Sequence, residues 1–406
     1  MIFSEKLRQD IWQESDQLFN RMIQWRRQIH RNPEIGLNLP MTAEFVQNTL
    51  KQAGLIPCHC GGDECSGVTT LIQGKKNGPT ILLRADMDAL PIQEDNTLPF
   101  RSEINNQSHM CGHDTHTAML LGAAYILANH RDDFCGNVKL MFQPGEEGYN
   151  GADYMVKDEL LENPHVDAAI AMHCLTGKKW PTGTLLCATG LLAKASADAF
   201  TITIKGSGTH GATPESGTDV IYVLTAIANH LYEIRSRELS AFTPAMLSIC
   251  SIQAGNTFNA LPDSGKLLGT FRTFDESVRE QIRLRIQEIS VQIANALRCK
   301  ASIKFSGGLA PTINDAKMCS EIFSYVKELD SAHTDTIGPV TGAEDFSVIS
   351  SLIPSVYIDL SFGSSAEGYP YEVHSPKCLF NEKAMQTGAA CYAWCAIRWL
   401  QEHDRH

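Results

Sequence analysis

The sequence predicts an α/β protein into which a smaller α+β domain is inserted, and three observations carry that expectation. At 406 residues the chain is longer than one ordinary core, since roughly 100–200 residues make a domain. From Ser66 to His173, apolar runs alternate with helical stretches, the pattern of strands and crossover helices in a sheet covered on both faces. Near Ser196 the texture changes: Phe200, Ile202 and Ile204 alternate with Thr201, Thr203 and Lys205, the period of a strand with one wet face.

The elements follow in order. Leu7, Ile11, Leu18, Met22, Trp25 and Ile29 fall on helical spacing among charges, so the N-terminus reads as an amphipathic helix and not a signal peptide. "SGVTTLIQ" and "TILLRAD" read as strands, "HTAMLLGAAYILANH" as a helix, "NVKLMFQP" as a strand, "GADYMVKDEL" as a helix and "AAIAMH" as a strand. The inserted part begins with "DAFTITIKG" and continues with a helix at Asp219–Arg237 and strands "AMLSICSIQAG" and "GKLLGTFRTF". A helix at Glu276–Leu297 and the strand "CKASIKFSG" close it. After Gly308 the α/β texture returns, with "SVYIDLSF" as a strand and "NEKAMQTGAACYAWCAIRWL" as a closing helix. The expected organisation is therefore a main domain in two parts, 1–195 and 309–406, around an insert at 196–308.

Composition narrows the function. A net charge of −12 argues against nucleic acid or an anionic membrane as partner, because both reward clustered Lys and Arg, and favours a small-molecule substrate. No run of about 18 apolar residues offers a membrane span. Thirteen cysteines scattered without a secretory signal indicate reduced thiols and a cytoplasmic protein. Most of them, Cys250, Cys391 and Cys395 among them, read as small buried side chains.

The stretch "HMCGHDTHTAML" packs metal-binding side chains in front of a helix. Cys111 and His113, two apart in a turn, can converge on one point, although a short Cys/His pair is also compatible with an ordinary loop thiol. In "FQPGEEGYNGA" two glutamates follow an apolar strand and a Pro-Gly turn. One carboxylate is suited to a metal and its neighbour to acting as general base; a helix-capping acidic pair is the alternative. His173 ends the run "DAAIAMH" and His374 stands in "YEVHSP". With Cys111, His113 and Glu147 they make a set of five ligand-type residues, a number that suits two metals. "LLRADMDALP" adds Asp86 and Asp88 at a strand end. Asp88 is the candidate for orienting a ligating imidazole, or else a turn residue before Pro91.

The ordered set "HRNPEIG", "RADMDALP", "MCGHDTHTAML", "FQPGEEG", "MH", "GTHGATP", "NALPD", "GTFRTF", "GAEDFS" and "HSPKCLFNE" resembles the aminoacylase and carboxypeptidase G-type metallopeptidases. Within them it is most similar to the amidohydrolase branch that includes N-acyl-amino-acid amidohydrolases, hippurate hydrolases and auxin-conjugate hydrolases. The resemblance implies a zinc-peptidase-like catalytic domain, a mixed sheet flanked by helices. It also implies that the insert is a lid and dimerisation domain with a four-stranded antiparallel sheet and two helices. Two divalent ions (Zn, Mn, Co or Ni) would share Cys111; Glu147 and His374 would complete one site, His113 and His173 the other. Glu146 would be the general base, His210 would stabilise the oxyanion, often across a homodimer, and Asn259 and Arg272 would bind substrate. Sister peptidases use a histidine where this chain has Asp86, so Asp86 is not expected to ligate. Glu215 also departs from the family pattern, which bears on substrate identity more than on activity.

The resulting expectation is hydrolysis of small N-acyl amino acids. A dipeptidase or aminopeptidase of the same family is the alternative, which would need an anchor for a free amino group. A non-catalytic metal or thiol sensor is the reading from another class, and Glu146 argues against it, because a sensor has no use for an unligated carboxylate beside its ligands. A cysteine hydrolase with Cys111 as nucleophile would survive metal removal.

Overall fold

The computed structural model describes residues 2–188 and 191–404. The chain divides into two compact units: Met1–Ala193 with Ile313–Gly338 and Val348–His406, and Lys194–Thr312 with Pro339–Ser347. The short segment Pro339–Ser347 thus belongs with the second unit although it lies far along the chain.

The first unit is built on an eight-stranded mixed sheet. Its strands are β1 (Pro57–Cys60), β2 (Gly67–Gln73), β3 (Thr80–Asp86), β4 (Asn137–Gln143), β5 (Ala168–Leu175) and β6 (Leu185–Ala188). In the second unit lie β7 (Ala197–Lys205), β8 (Ala245–Ala254), β9 (Ser264–Thr273) and β10 (Lys300–Leu309). The chain then returns to the large sheet with β11 (Thr334–Ile337) and β12 (Ser355–Ser361). The order of the large sheet is β1-β2-β4-β3-β5-β12-β6-β11. Its centre, β4-β3-β5-β12, is parallel, so these strands end at one edge. Every residue of β3, β5 and β12 is buried, which requires cover on both faces.

The helices of this part of the chain are α1 (Ile2–Arg31), α2 (Pro40–Gln52), α3 (His113–Asn129) and α4 (Gly151–Lys157); α3 packs on β3 and β5, whereas α2 lies on β1 and β2 and α4 on β4. The second unit holds α5 (Val220–Glu233) and α6 (Glu276–Ala296), and the first unit is completed by α7 (Ala316–Asp330) and α8 (Ala384–Glu402). Asp219, Asp275 and Asp315 cap α5, α6 and α7 by accepting backbone N–H bonds in the first turn, which fixes where those helices start. α3 packs against both α1 and α8 and is buried nearly all round, as a helix without a polar face must be. Two glycines permit this closeness. A Cβ at Gly122 would lie 2.6 Å from Met22 Sδ, and one at Gly388 would lie 2.0 Å from Met119 Sδ and 3.1 Å from Leu360 Cδ2.

The second unit is a four-stranded antiparallel sheet, β8-β9-β7-β10, with α5 and α6 packed on it. Phe200, Ile202 and Ile204 point into its core beside Phe271, Ile282 and Ile286. Near the start of β7, Asp198, 2% exposed, takes two guanidinium N–H bonds from Arg279 and one from Arg283 of α6.

No disulfide joins the cysteines of the described residues. The expectation that Cys250 is buried is corrected: it is exposed, because β8 is an edge strand and Cys250 falls in the register shift between Ile249 and Ser251, a bulge that turns it out of the ladder. Cys391 and Cys395 are buried. Among the described residues, no helix is long and apolar enough to cross a membrane.

The Gly388 contact leads to a stability prediction. Gly388→Val should destabilise the first unit by about 1–3 kcal/mol through overpacking, read as a lower urea midpoint by circular dichroism. An unchanged midpoint would show that α3 and α8 are not in this contact.

Candidate metal centre

The C-terminal edge of the parallel strands is where open α/β sheets present their ligand-binding groups. Asp86 ends β3 opposite Gln143 of β4, and His173 lies near the end of β5 opposite Asp359 of β12. Gly112 turns the chain into α3 in the left-handed region (φ 88°), where a Cβ would strike Cys174 Sγ at 2.4 Å. That turn brings Cys111 and His113 to the edge.

The five ligand-type residues meet there in two groups. Cys111, His113 and His173 form one set of donor atoms all within 4.8 Å of one another, and Cys111, Glu147 and His374 form another. Cys111 Sγ belongs to both, 3.4 Å from His173 Nε2 and 3.3 Å from His374 Nε2. Glu147 Oε1 lies 3.3 Å from His374 Nε2 and 3.9 Å from His113 Nε2. Glu146 joins His113 and Glu147 in a third such set.

Hydrogen bonds fix the orientation of these groups. His173 donates Nδ1–H to the Cys174 carbonyl at 2.7 Å, which leaves the Nε2 lone pair facing Cys111. His374 is held at φ 66°, an uncommon backbone for a non-glycine residue, with its N–H donated to Met110 O at 2.7 Å. Asp88 does more than the sequence suggested. One of its oxygens accepts the Glu146 N–H and the other the Glu147 N–H, each at 3.0 Å, so one carboxylate clamps the backbone that carries both glutamates. The same Oδ1 lies 3.4 Å from His113 Nδ1.

His116 has no part in the expected ligand set, yet it is central. Its Nε2 accepts the Cys174 N–H at 2.8 Å, which leaves Nδ1 to donate to Asp86 Oδ1 at 2.5 Å. Asp86 Oδ2 in turn accepts from Arg84 Nη1 at 2.7 Å. Asp86, His113 and His116 are close enough to hold an ion. With both nitrogens of His116 and both oxygens of Asp86 already bonded, however, that pair reads as a strut joining the ends of β3 and β5. Three-residue spacing from His113 on one helix was the signal in the sequence.

The site is strongly negative. Asp86, Asp88, Glu146 and Glu147 gather on it, at least nine-tenths buried apart from Glu147. Burial opposes a charge on His113, but Asp86, Asp88 and Glu147 outweigh it and lift its pKa to about 10. Burial pushes the Cys111 thiol well above its ordinary range, and Glu147 and Glu146 push it further. For Glu147, burial is overcome by the neighbouring His374 and His113 imidazoles, so its carboxyl lies below the ordinary range. Both ring nitrogens of His113 and Oε1 of Glu147 are buried without a hydrogen-bond partner. Uncompensated donors of this kind, with a thiol and imidazoles among carboxylates, fit a divalent transition-type cation.

The remaining candidates lie in the second unit. His210 is exposed, its Nδ1 accepting the Ala212 N–H at 3.1 Å. Pairing of Thr209–His210 with Ala260–Leu261 places it beside Asn259, whose carbonyl accepts the Gly211 N–H at 2.8 Å. Arg272 on β9 is half-buried and donates to Ser196 O at 3.4 Å. No carboxylate among the described residues pairs with it.

The chain matches the profile described as Peptidase family M20/M25/M40 over residues 82–398. It is 34% identical over 398 residues to thermostable carboxypeptidase 2 of Saccharolobus solfataricus, covering 97% of this chain and 98% of that protein. It is 35% identical over 373 residues to N-acetyl-L-cysteine deacetylase of Bacillus subtilis, covering 91% and 85%. A crystal structure of a Bacillus subtilis protein described as a dinuclear metal-binding peptidase from the M20 family superposes with a TM-score of 0.81. The two are 29% identical, and the match covers 95% of this chain and 99% of that one.

The protonation of the donors sets the pH dependence of metal uptake. Metal-free, Cys111 and His113 are both protonated near neutrality, since both pKa values are raised. Ligation needs thiolate and neutral imidazole, so a cation entering that pair must displace two protons and bind more tightly as pH rises, roughly 100-fold per unit between pH 6 and 8. Calorimetric titration in buffers of different ionisation enthalpy measures the release. Uptake without proton release would contradict the assignment of these two donors.

Proposed function

The chain belongs to peptidase family M20/M25/M40, and on that premise we propose that this metal-dependent hydrolase cleaves the amide bond of small N-acyl amino acids, releasing a carboxylic acid and a free amino acid. The observation that carries the reading is one thiol, Cys111, common to two three-donor groups, with Glu146 set beside them by the Asp88 clamp.

Two divalent cations, one on Cys111, His113 and His173 and one on Cys111, Glu147 and His374, would supply Lewis-acid polarisation of the scissile carbonyl and acidify water, worth several kcal/mol of the barrier. Glu146 takes a proton from the attacking water as the new C–O bond forms. It then delivers that proton to the amide nitrogen as the C–N bond breaks, so the amino acid leaves neutral at nitrogen. Asp88, through the Glu146 N–H, fixes the backbone from which that carboxylate projects. His210 supplies an N–H to the oxyanion. Arg272 and Asn259 bind the free carboxylate of the amino acid half. That no carboxylate among the described residues pairs with Arg272 supports this, because a half-buried guanidinium gains most from a bidentate anion.

The deacetylase relative supports an N-acyl substrate. The carboxypeptidase relative supports a second reading in which the acyl group is itself an amino acid. Both leave a free carboxylate for Arg272. We further propose that the second unit is the lid and forms a homodimer. Phe242 and Phe258, 96% and 99% exposed, and Tyr222 at 60% support a partner on that unit.

The test of substrate class is turnover of N-acetyl and N-benzoyl amino acids against dipeptides after reconstitution with Zn, Mn, Co or Ni. Preference for the N-acyl panel is expected, and preference for dipeptides would favour the second reading. Glu146→Gln should retain both ions by elemental analysis while kcat falls about 10²–10⁴-fold; near-normal kcat would remove Glu146 as the base. His210→Ala should lower kcat with metal content intact. If His210 acts across a dimer, mixing that variant with Glu146→Gln should restore part of the activity, whereas inert mixtures would place it within its own subunit.

A further inference from the structure

A second group of buried charges surrounds Asp114, the residue that follows His113 in the first turn of α3. Asp114 Oδ2 accepts hydrogen bonds from Arg26 Nε at 3.0 Å and from His30 Nδ1 at 2.8 Å, both on α1. His30 Nε2 lies 3.1 Å from Glu94 Oε1, and Glu94 is fixed by the Ser102 N–H at 2.6 Å and by Asn96 Nδ2 at 2.8 Å. Arg26 Nη1 pairs with Glu382 Oε1 at 3.1 Å. Arg26, His30 and Asp114 are each no more than 1% exposed.

Charges at this depth are a poor means of holding two helices together. Removing them from water offsets most of their attraction, and apolar side chains of similar volume do as well. α1 and α3 already pack closely through Met22 and Gly122. A carboxylate held by two donors does something that apolar packing does not: it fixes the rotation of the turn that carries it. That turn is where the two donors leave the backbone. Gly112 precedes it in the left-handed region, and its carbonyl accepts both the N–H of Thr115 at 2.8 Å and the Thr115 hydroxyl at 2.6 Å. Cys111 and His113 stand on either side of that glycine. A small rotation of the first turn of α3 would therefore move His113 relative to Cys111.

We propose that Asp114 is a positioning residue: gripped by Arg26 and His30, it sets the rotation of the first turn of α3 and thereby the spacing of Cys111 and His113 as cation donors. The inference rests on the metal-centre reading above. Groups hydrogen-bonded behind a metal site commonly account for 10–100-fold in metal affinity.

The test uses the full-length protein stripped of metal and titrated with Mn²⁺ and Zn²⁺, with wild type and Asp114→Asn compared by calorimetry and thermal unfolding. Asp114→Asn should bind in at least one step 10-fold or more weakly, with kcat lowered and KM within about twofold once metal is saturating. A variant that unfolds at lower temperature yet binds both ions with wild-type affinity would reduce Asp114 to a structural role and overturn the proposal. Should Asp114→Asn fail to fold, Glu94→Gln, one hydrogen bond further along the same chain, decides: at least threefold weaker uptake supports the proposal and unchanged uptake overturns it. Wild-type protein that takes up neither ion would instead overturn the metal-centre reading on which the proposal stands.

Discussion

Crowding of negative charge at one edge of a β-sheet is the constraint from which the rest of this structure follows. Four carboxylates and a thiol gather at the ends of β3, β4 and β5, where little water reaches to screen them. The His113 imidazole is driven to the protonated state by that field. Cations in the same place would relieve the repulsion, convert the thiol and imidazole into ligands and leave one carboxylate to move protons. Hydrolysis of an amide then needs little more than a site that holds the substrate against this edge.

Much of the surrounding architecture serves to hold incompatible groups still. Asp88 gives both oxygens to the backbone of Glu146 and Glu147, so two like charges are tied at adjacent residues without either side chain being used up. His116 and Asp86 bind one another and the Cys174 N–H, bracing β3 against β5 directly under His173. Gly112 and His374 both adopt left-handed backbone, Gly112 at no steric cost and where a Cβ would not fit, His374 against its own preference. Strain of this kind persists where neighbours over-determine the conformation, and the bond from His374 N–H to Met110 O is one such tie.

The α/β reading and the antiparallel insert were legible because their signals are local. Period-two alternation in "DAFTITIKG" marks a half-buried strand, and the apolar run of "TILLRAD" marks one buried on both faces. The donors were legible as residue types at strand ends. Their division into two groups about Cys111 is a tertiary property that only the ordered family motifs suggested. α2 and α7, absent from the expected elements, carry a local signal too, with Val46 and Leu50 in one and Met318, Ile322, Val326 and Leu329 in the other at helical spacing. For other features a local signal is absent or insufficient. The three-residue spacing of His116 from His113 marks it, but its role depends on two partners 30 and 58 residues away in the chain. Cys250 looked buried because its neighbours are apolar, and only the bulge in an edge strand reveals that it turns outward. The ties from Arg26 and His30 to Asp114 span 88 and 84 residues and leave no trace in spacing.

The central claim is that one sulfur atom serves two cations. Anomalous diffraction from crystals of the metal-loaded protein, collected at the absorption edge of the bound element, tests it most directly. The account predicts two peaks roughly 3.5–4 Å apart, with Cys111 Sγ between them, His113 and His173 on one and Glu147 and His374 on the other. A single peak, or two peaks with Cys111 bound to neither, would contradict it.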